Sequence, residues 1–393
     1  MDYSIRGARV LLPGGELVPA SVDIAAGRIA GIGESSSVQG TLRGLDGAGL
    51  LLLPGIVDLH GDAFERQLMP RPQVHFPADI ALVDTDRQLV ANGVTTALHG
   101  LTWSWEPGLR GREAAVSFID TLERLRPSLA CDSHVHLRHE VFNIDAAAEI
   151  ENWLAAGRIH LLAFNNHLPM FKRRIEQPTK LAQYAERAHI SIAAFIELIQ
   201  EVAAREPQVA EVNRSLAEAA RRHGVTLASH DDATPQMRRE FHALGCGLCE
   251  FPLNPETAEE ARRLGDAVIM GAPNVVRGGS HLEGGGMGAA KLAAAGLVDV
   301  LTSDYYYPAL MQAAFRLVRD GVASLAQAWR LVSFNPARLG GFADRGEIAL
   351  GQRADLLLVD DRDPALPRLV ATLVNGRLVH GIRDMGMTGD WGR

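Results

Sequence analysis

Leu50-Leu51-Leu52-Leu53-Pro54-Gly55-Ile56-Val57-Asp58-Leu59-His60-Gly61-Asp62 is an apolar run closed by a His-x-Asp pair. A strand places residues i and i+2 on one face, so the pattern reads as a buried strand whose carboxyl end delivers two ligand-type side chains to one place. Standing alone, such a pair more often marks a strand cap followed by a loop. The rest of the chain decides between those readings.

Working outward, seven further apolar runs follow, at 93–98, 133–140, 159–167, 224–232, 247–252, 267–274 and 298–304. Helix-type patterns at 79–92, 113–125 and roughly 178–223 lie between them. Regular alternation of strand and helix argues for a parallel sheet, and eight units argue for closure into a (β/α)8 TIM-like barrel. The fold class is therefore α/β. The two ends of the chain differ in style, with short alternating strands broken by glycine before residue 50 and again after 346. They are expected to pair into a small β-sandwich module, 1–52 with 345–393, outside a hydrolase barrel spanning 53–344.

Composition bounds the function. At 393 residues the chain accommodates one barrel of about 250 residues plus an accessory module. A hydrophobic fraction of 47% and a charged fraction of 22% are ordinary for a soluble protein with a large core. A net charge of -8 gives no general attraction for nucleic acid or an anionic membrane. No basic start precedes an apolar segment, and no run approaches the length that spans a bilayer, so the cytoplasm is the expected location. Three cysteines cannot build a disulfide framework. Cys246-Gly-Leu-Cys249 has no second pair to complete a zinc ribbon, and its thiols are expected to be buried.

The carboxyl ends of the runs carry His60 with Asp62, Glu140, His167, His230, Glu250, Asn274 and Asp304. In a barrel all these ends open on one face, so residues distant in sequence converge there. Imidazole suits zinc or a similar divalent ion, and carboxylates can bridge two ions or accept protons. One or two divalent ions, with zinc favoured, are therefore expected, and hydrolysis is the chemistry they suit.

The Leu-Pro-Gly-Ile-Val-Asp-Leu-His stretch, Asn92-Gly93-Val94-Thr95-Thr96, the terminal β module and an Asp ending the eighth strand together resemble the amidohydrolase superfamily. Within it, residues about 50–340 are similar to the diphosphatases acting on α-D-ribose 1-methylphosphonate 5-triphosphate in the carbon–phosphorus lyase pathway of phosphonate metabolism. Pro70-Arg71-Pro72, His136-Leu137-Arg138-His139-Glu140, Ala228-Ser229-His230-Asp231-Asp232-Ala233-Thr234, Glu250-Phe251-Pro252, Met270 through His281 and Ser303-Asp304-Tyr305-Tyr306 carry that likeness. It implies that His60 and Asp62 bind a first metal, Glu140 bridges, His167 and His230 complete a second position, and Asp304 ligates and takes a proton from the attacking water. Asp62 departs from the commoner His-x-His of the superfamily. Asn166 stands where an acidic residue is expected, and no lysine is apparent on the fourth strand.

A polyphosphate needs donors. Arg277-Gly278-Gly279-Ser280-His281 forms a glycine-rich stretch after the seventh strand, where backbone N–H groups can approach phosphate and Arg can bind it bidentately. Lys291, Arg66 and Arg71 are further candidates. Tyr305 is expected beside the site, and Asp231, Asp232 and Asn166 are expected to support the ligands. The expected partner is a small phosphorylated sugar, with no nucleic acid and no membrane; assembly into a homo-oligomer is left open. Two other readings stand beside this one: a hydrolase of C–N bonds, such as a deacetylase or cyclic amidase, and an inactive barrel serving as a binding or scaffold subunit.

Overall fold

The computed structural model describes residues 2–33, 43–279 and 288–382. Five strands open the chain: β1 (Tyr3–Leu11), β2 (Leu17–Ala25), β3 (Arg28–Gly33), β4 (Arg43–Asp46) and β5 (Leu51–Pro54). Eight more form the barrel: β6 (Ile56–Gly61), β7 (Val94–Trp103), β8 (Asp132–Glu140), β9 (Leu161–Asn165), β10 (Thr226–His230), β11 (Leu248–Glu250), β12 (Ala267–Gly271) and β13 (Val300–Thr302). The chain then returns to the first sheet with β14 (Leu356–Asp360), β15 (Arg368–Val374) and β16 (Arg377–Gly381).

The two ends meet in one eight-stranded sheet of order β16-β15-β14-β5-β1-β2-β3, with β4 paired to β1. Most of its pairs are antiparallel, while β1 runs parallel to β4 and β5. This sheet has its own buried cluster, in which Ile5, Val10, Val22, Leu52, Leu356 and Leu358 meet.

The leucine-rich opening stretch is two strands rather than one. Leu51–Pro54 pairs with β14 in the terminal sheet, whereas Ile56–Gly61 starts the barrel. Gly55 makes the break, because a side chain there would overlap Thr95. The unbroken leucines follow from burial on both faces: Leu52 joins the terminal-sheet cluster, and Leu51 and Leu53 pack into the layer outside the barrel.

The barrel strands are ordered β6 to β13 and pair in parallel throughout. A parallel bridge between Gly61 and Asp304 joins the last strand to the first. Asp304 N–H donates to His60 O and Asp62 N–H to Asp304 O, each at 2.9 Å. Inside, Val57, Leu98, Leu161, Ala163, Ala228, Leu248, Ile269 and Val300 pack over Ala337 and Phe342. Two larger apolar clusters fill the space between strands and surrounding helices.

Helices at Ala78–Ala91 and Arg112–Leu125 lie where the periodicity places them. The stretch at 178–223 is broken instead into a 3-10 turn and helices at Ala182–Arg187, Ile192–Ala203 and Glu206–Arg222. His189 adopts a left-handed φ of 59°, and the Ser191 hydroxyl caps the next helix by accepting from Ala194 N–H at 3.1 Å. Pro207 opens the following helix, where its missing N–H costs nothing. Among the described residues no helix is long and apolar enough to cross a membrane.

Candidate metal centre

Along the barrel strands a buried apolar residue is followed two positions later by a polar one on the same face. Ala228 precedes His230, Leu248 precedes Glu250, and Ala163 precedes Asn165. The lower barrel is thus an apolar plug and the upper rim a polar bowl. His60 is out of phase with Val57 and Leu59, and β6 carries a register irregularity against β7 between Asp58 and Gly61. Such irregularities re-aim side chains near functional sites.

Glu250 is the hub of the bowl. Its Oε2 lies 3.1 Å from His60 Nδ1 and 3.2 Å from His230 Nδ1, and 3.7 Å from His136 Nε2. A carboxylate accepts, so the two Nδ1 atoms donate and leave lone pairs on Nε2. His136 Nδ1 faces Leu59 O at 2.9 Å and donates there, which again leaves Nε2 as the lone-pair nitrogen. Burial, and then the neighbouring Arg138 charge, pull His60 down to about 3. Burial alone leads the fall of His136 to about 4, and burial with Arg138 holds His230 well below its ordinary value. All three rings are neutral at pH 7 and suited to ligating a cation.

His167 behaves oppositely. Burial opposes its charge, yet Glu140 and Asp231 together push it up to about 9. Its Nδ1 contacts Glu140 Oε1 directly, its backbone N–H donates to Glu140 Oε2 at 3.2 Å, and its Nε2 lies 3.6 Å from Asp231 Oδ2. Both oxygens of Glu140 are thereby engaged by His167. Burial first, and the Asp62 charge second, raise Asp304 well above the usual carboxylate range.

Among the described residues three groups bring ligand atoms within 4.8 Å of one another: His60 with His136 and Glu250, His167 with His230 and Asp231, and His60 with Asp62 and Asp304. Among the described residues, buried atoms without a hydrogen-bond partner include His60 Nε2, His136 Nε2, Glu250 Oε1 and Asn274 Oδ1. An unsatisfied buried polar atom is costly, and a cluster of them made of imidazole nitrogens and carboxylate oxygen fits a bound divalent ion. The residues present therefore suit a metal. Asp231, Phe251 and Asp304, each just beyond a strand end, hold positive φ values of 58°, 53° and 53°. Such strain clusters at active sites.

The other sequence candidates are distributed as follows. Asp231 joins His167 and His230, whereas Asp232 turns away, accepting from Ser229 Oγ at 2.7 Å and from the buried Arg238 at 3.1 Å. Cys246 and Cys249 are free and buried behind it. Asn166 carries a buried Oδ1 with no hydrogen-bond partner among the described residues. Tyr305 lies between two arginines, with Arg277 Nη1 donating to its hydroxyl at 3.3 Å and Arg66 over its ring at 5.6 Å. Arg71 and Lys291 are exposed, as are Gly278 and Gly279. Ser280 and His281 lie outside the described residues. His136 and Arg138 were not among the site residues expected from sequence; their spacing with Glu140 on one strand face, at every second position, is the signal that marks them.

The curated α-D-ribose 1-methylphosphonate 5-triphosphate diphosphatase of Escherichia coli K12 is 35% identical over 355 residues, which cover 88% of this chain and 93% of that relative. The Amidohydrolase family matches residues 196–380. This chain belongs to the amidohydrolase family. Adenine deaminase of Methylobacterium nodulans is 26% identical over 94% of this amidohydrolase, which spans 57% of that relative's length. Among solved structures, an amidohydrolase from a Sargasso Sea environmental sample superposes with a TM-score of 0.67 at 17% identity, covering 99% and 95% of the two chains, and shares the fold. Amidohydrolases are typically metal-dependent hydrolases, in keeping with the donor atoms gathered around Glu250.

Proposed function

We propose that this hydrolase cleaves α-D-ribose 1-methylphosphonate 5-triphosphate between its α and β phosphorus atoms, releasing pyrophosphate and leaving the 5-phosphate. The relative with that activity aligns over nearly the whole of both chains. The observation that carries the reading within the site is the placing of Arg277 and Arg66 on either side of Tyr305, the residue next to Asp304. Two exposed guanidinium groups at the rim of the bowl suit an anionic substrate, since Arg binds phosphate through paired charge-assisted hydrogen bonds.

His60, Asp62 and Asp304, with His136 and Glu250, are the residues that would hold a divalent ion, and their imidazole and carboxylate atoms favour zinc. Such an ion, when bound, supplies Lewis acidity and lowers the pKa of water at the site to about 7. Asp304 takes the proton of the attacking water on its carboxylate, whose proton affinity burial raises. Arg277 and Arg66 hold the polyphosphate end, and Glu250 keeps the imidazoles turned toward the bowl.

The test is pyrophosphate release by the metal-loaded protein from this substrate, beside nucleoside triphosphates, adenine and a set of N-acyl compounds. Release from the sugar triphosphate alone is the expected result. The adenine deaminase relative supports a second reading, hydrolysis of a C–N bond, and ammonia or amine release without pyrophosphate would replace the first. Asp304→Asn is expected to lower turnover by at least 100-fold with the fold intact, in line with loss of a general base; unimpaired turnover would sink the assignment.

A further inference from the structure

Arg138, on β8, projects into the bowl with only 6% of its side chain exposed. Its Nη1 donates to Asp62 Oδ2 at 3.2 Å and its Nη2 to His230 Nε2 at 2.9 Å. With the Asn165 amide oriented by its surroundings, its oxygen accepts from Arg138 Nε and Nη2, each at 3.2 Å. The guanidinium is therefore held on three sides, by Asp62 just beyond β6 and by the ends of β9 and β10. A guanidinium offers N–H donors and accepts no hydrogen bond.

This arrangement bears on how many ions the centre holds. His230 donates from Nδ1 to Glu250, so Nε2 carries its one lone pair, and that lone pair faces Arg138. It cannot serve the guanidinium and a cation together. The other two groups of ligand atoms both depend on His60, whose Nδ1 is itself turned to Glu250. One imidazole with one free lone pair serves one ion.

We propose that Arg138 is a fixed positive charge built into the centre, which withdraws His230 and one oxygen of Asp62 from ligation so that each chain holds a single divalent ion, on the His60 side. The second positive charge next to the substrate is then an arginine of the barrel rather than a second ion. This rests on the metal dependence of the family and not on the diphosphatase reading, so failure of the pyrophosphate assay leaves it standing.

The experiment is metal content by mass spectrometry, with calorimetric titration of the chelator-stripped full chain by Zn2+, for the wild type and for Arg138→Met, which keeps the apolar stem and removes the charge. One equivalent per wild-type chain and two per variant chain are expected. With Co2+ in place of Zn2+, the visible absorption per chain should rise about twofold in the variant and spin coupling between paired ions should be seen in the variant alone. Two equivalents in the wild type would overturn the proposal whatever the variant does, as would one equivalent in both proteins. Arg138→Gln provides the same comparison if the Met variant does not fold.

Discussion

Glu250 is fully buried, lies 3.1 Å and 3.2 Å from two ring nitrogens, and offers a second oxygen with no hydrogen-bond partner among the described residues. Burial raises its proton affinity, which a cation at the adjacent imidazoles would offset. Partners of metal-ligating histidines usually matter about 10–100-fold in metal affinity. Glu250→Gln is accordingly expected to weaken zinc binding by about that factor, measured by competition with a chromophoric chelator. Unchanged affinity would show that the imidazoles are oriented without it. At this scale the sequence marks His60, Asp62, His167, His230 and Asp304 as polar residues at the ends of apolar runs, and the fold places each of them in a group of ligand atoms. Glu140 also ends such a run, but its engagement with His167 depends on a neighbouring strand, which no spacing within the chain reveals.

At the scale of the element, the join between β6 and β13 positions the centre. Asp58 is buried and accepts from Ser303 Oγ at 2.5 Å and from Ser303 N–H at 3.0 Å, which ties the first barrel strand to the last directly beneath His60 and Asp304. Burial, countered in part by those hydrogen bonds, raises Asp58 to about 6. Gly61 lies against the same clasp. A Cβ there would meet Asp58 Oδ2 and Ser303 Oγ at 2.8 Å and Tyr307 Cε1 at 3.0 Å. Gly61→Ala should therefore lower the stability by about 1–3 kcal/mol, the usual cost of overpacking, read as a shift in urea midpoint at constant slope. It should also reduce metal retention, because the displaced backbone carries Asp62. A variant with the wild-type midpoint would mean that the clasp yields without cost. The boundary between the two sheets at Gly55 was not legible, since an apolar run buried on both faces looks the same whichever sheet it joins.

At the scale of the whole molecule, Asp132 couples the barrel floor to the segment that returns to the terminal sheet. Its Oδ2 accepts from Arg345 Nη1 at 2.6 Å and from Arg353 Nη1 at 2.5 Å, and Arg345 also reaches Thr96 Oγ1 at 2.8 Å. Burial works against the ionised carboxyl, yet His134, Arg345 and Arg353 hold it well below the usual carboxylate range. A depressed acid contributes stability that is complete above its unfolded pKa of about 3.9 and is lost as pH falls toward the folded value. Asp132→Asn is expected to cost about 2–3 kcal/mol at pH 7, less than a fully buried pair because the carboxyl is partly exposed. The difference from wild type should shrink below pH 4. Equal losses at pH 7 and pH 3 would assign the effect to packing rather than charge.

The sequence by itself determined the βα alternation, the pairing of the two chain ends, and the polar residues that end the apolar runs, because strand periodicity and ligand chemistry are local properties. Tertiary structure alone decided which of those residues share a ligand group, that Asp232 turns to Arg238 while Asp231 faces His167, and that Arg138 enters the centre. Each of these depends on contacts between strands far apart in the chain, where the register of neighbouring strands sets which atoms face one another.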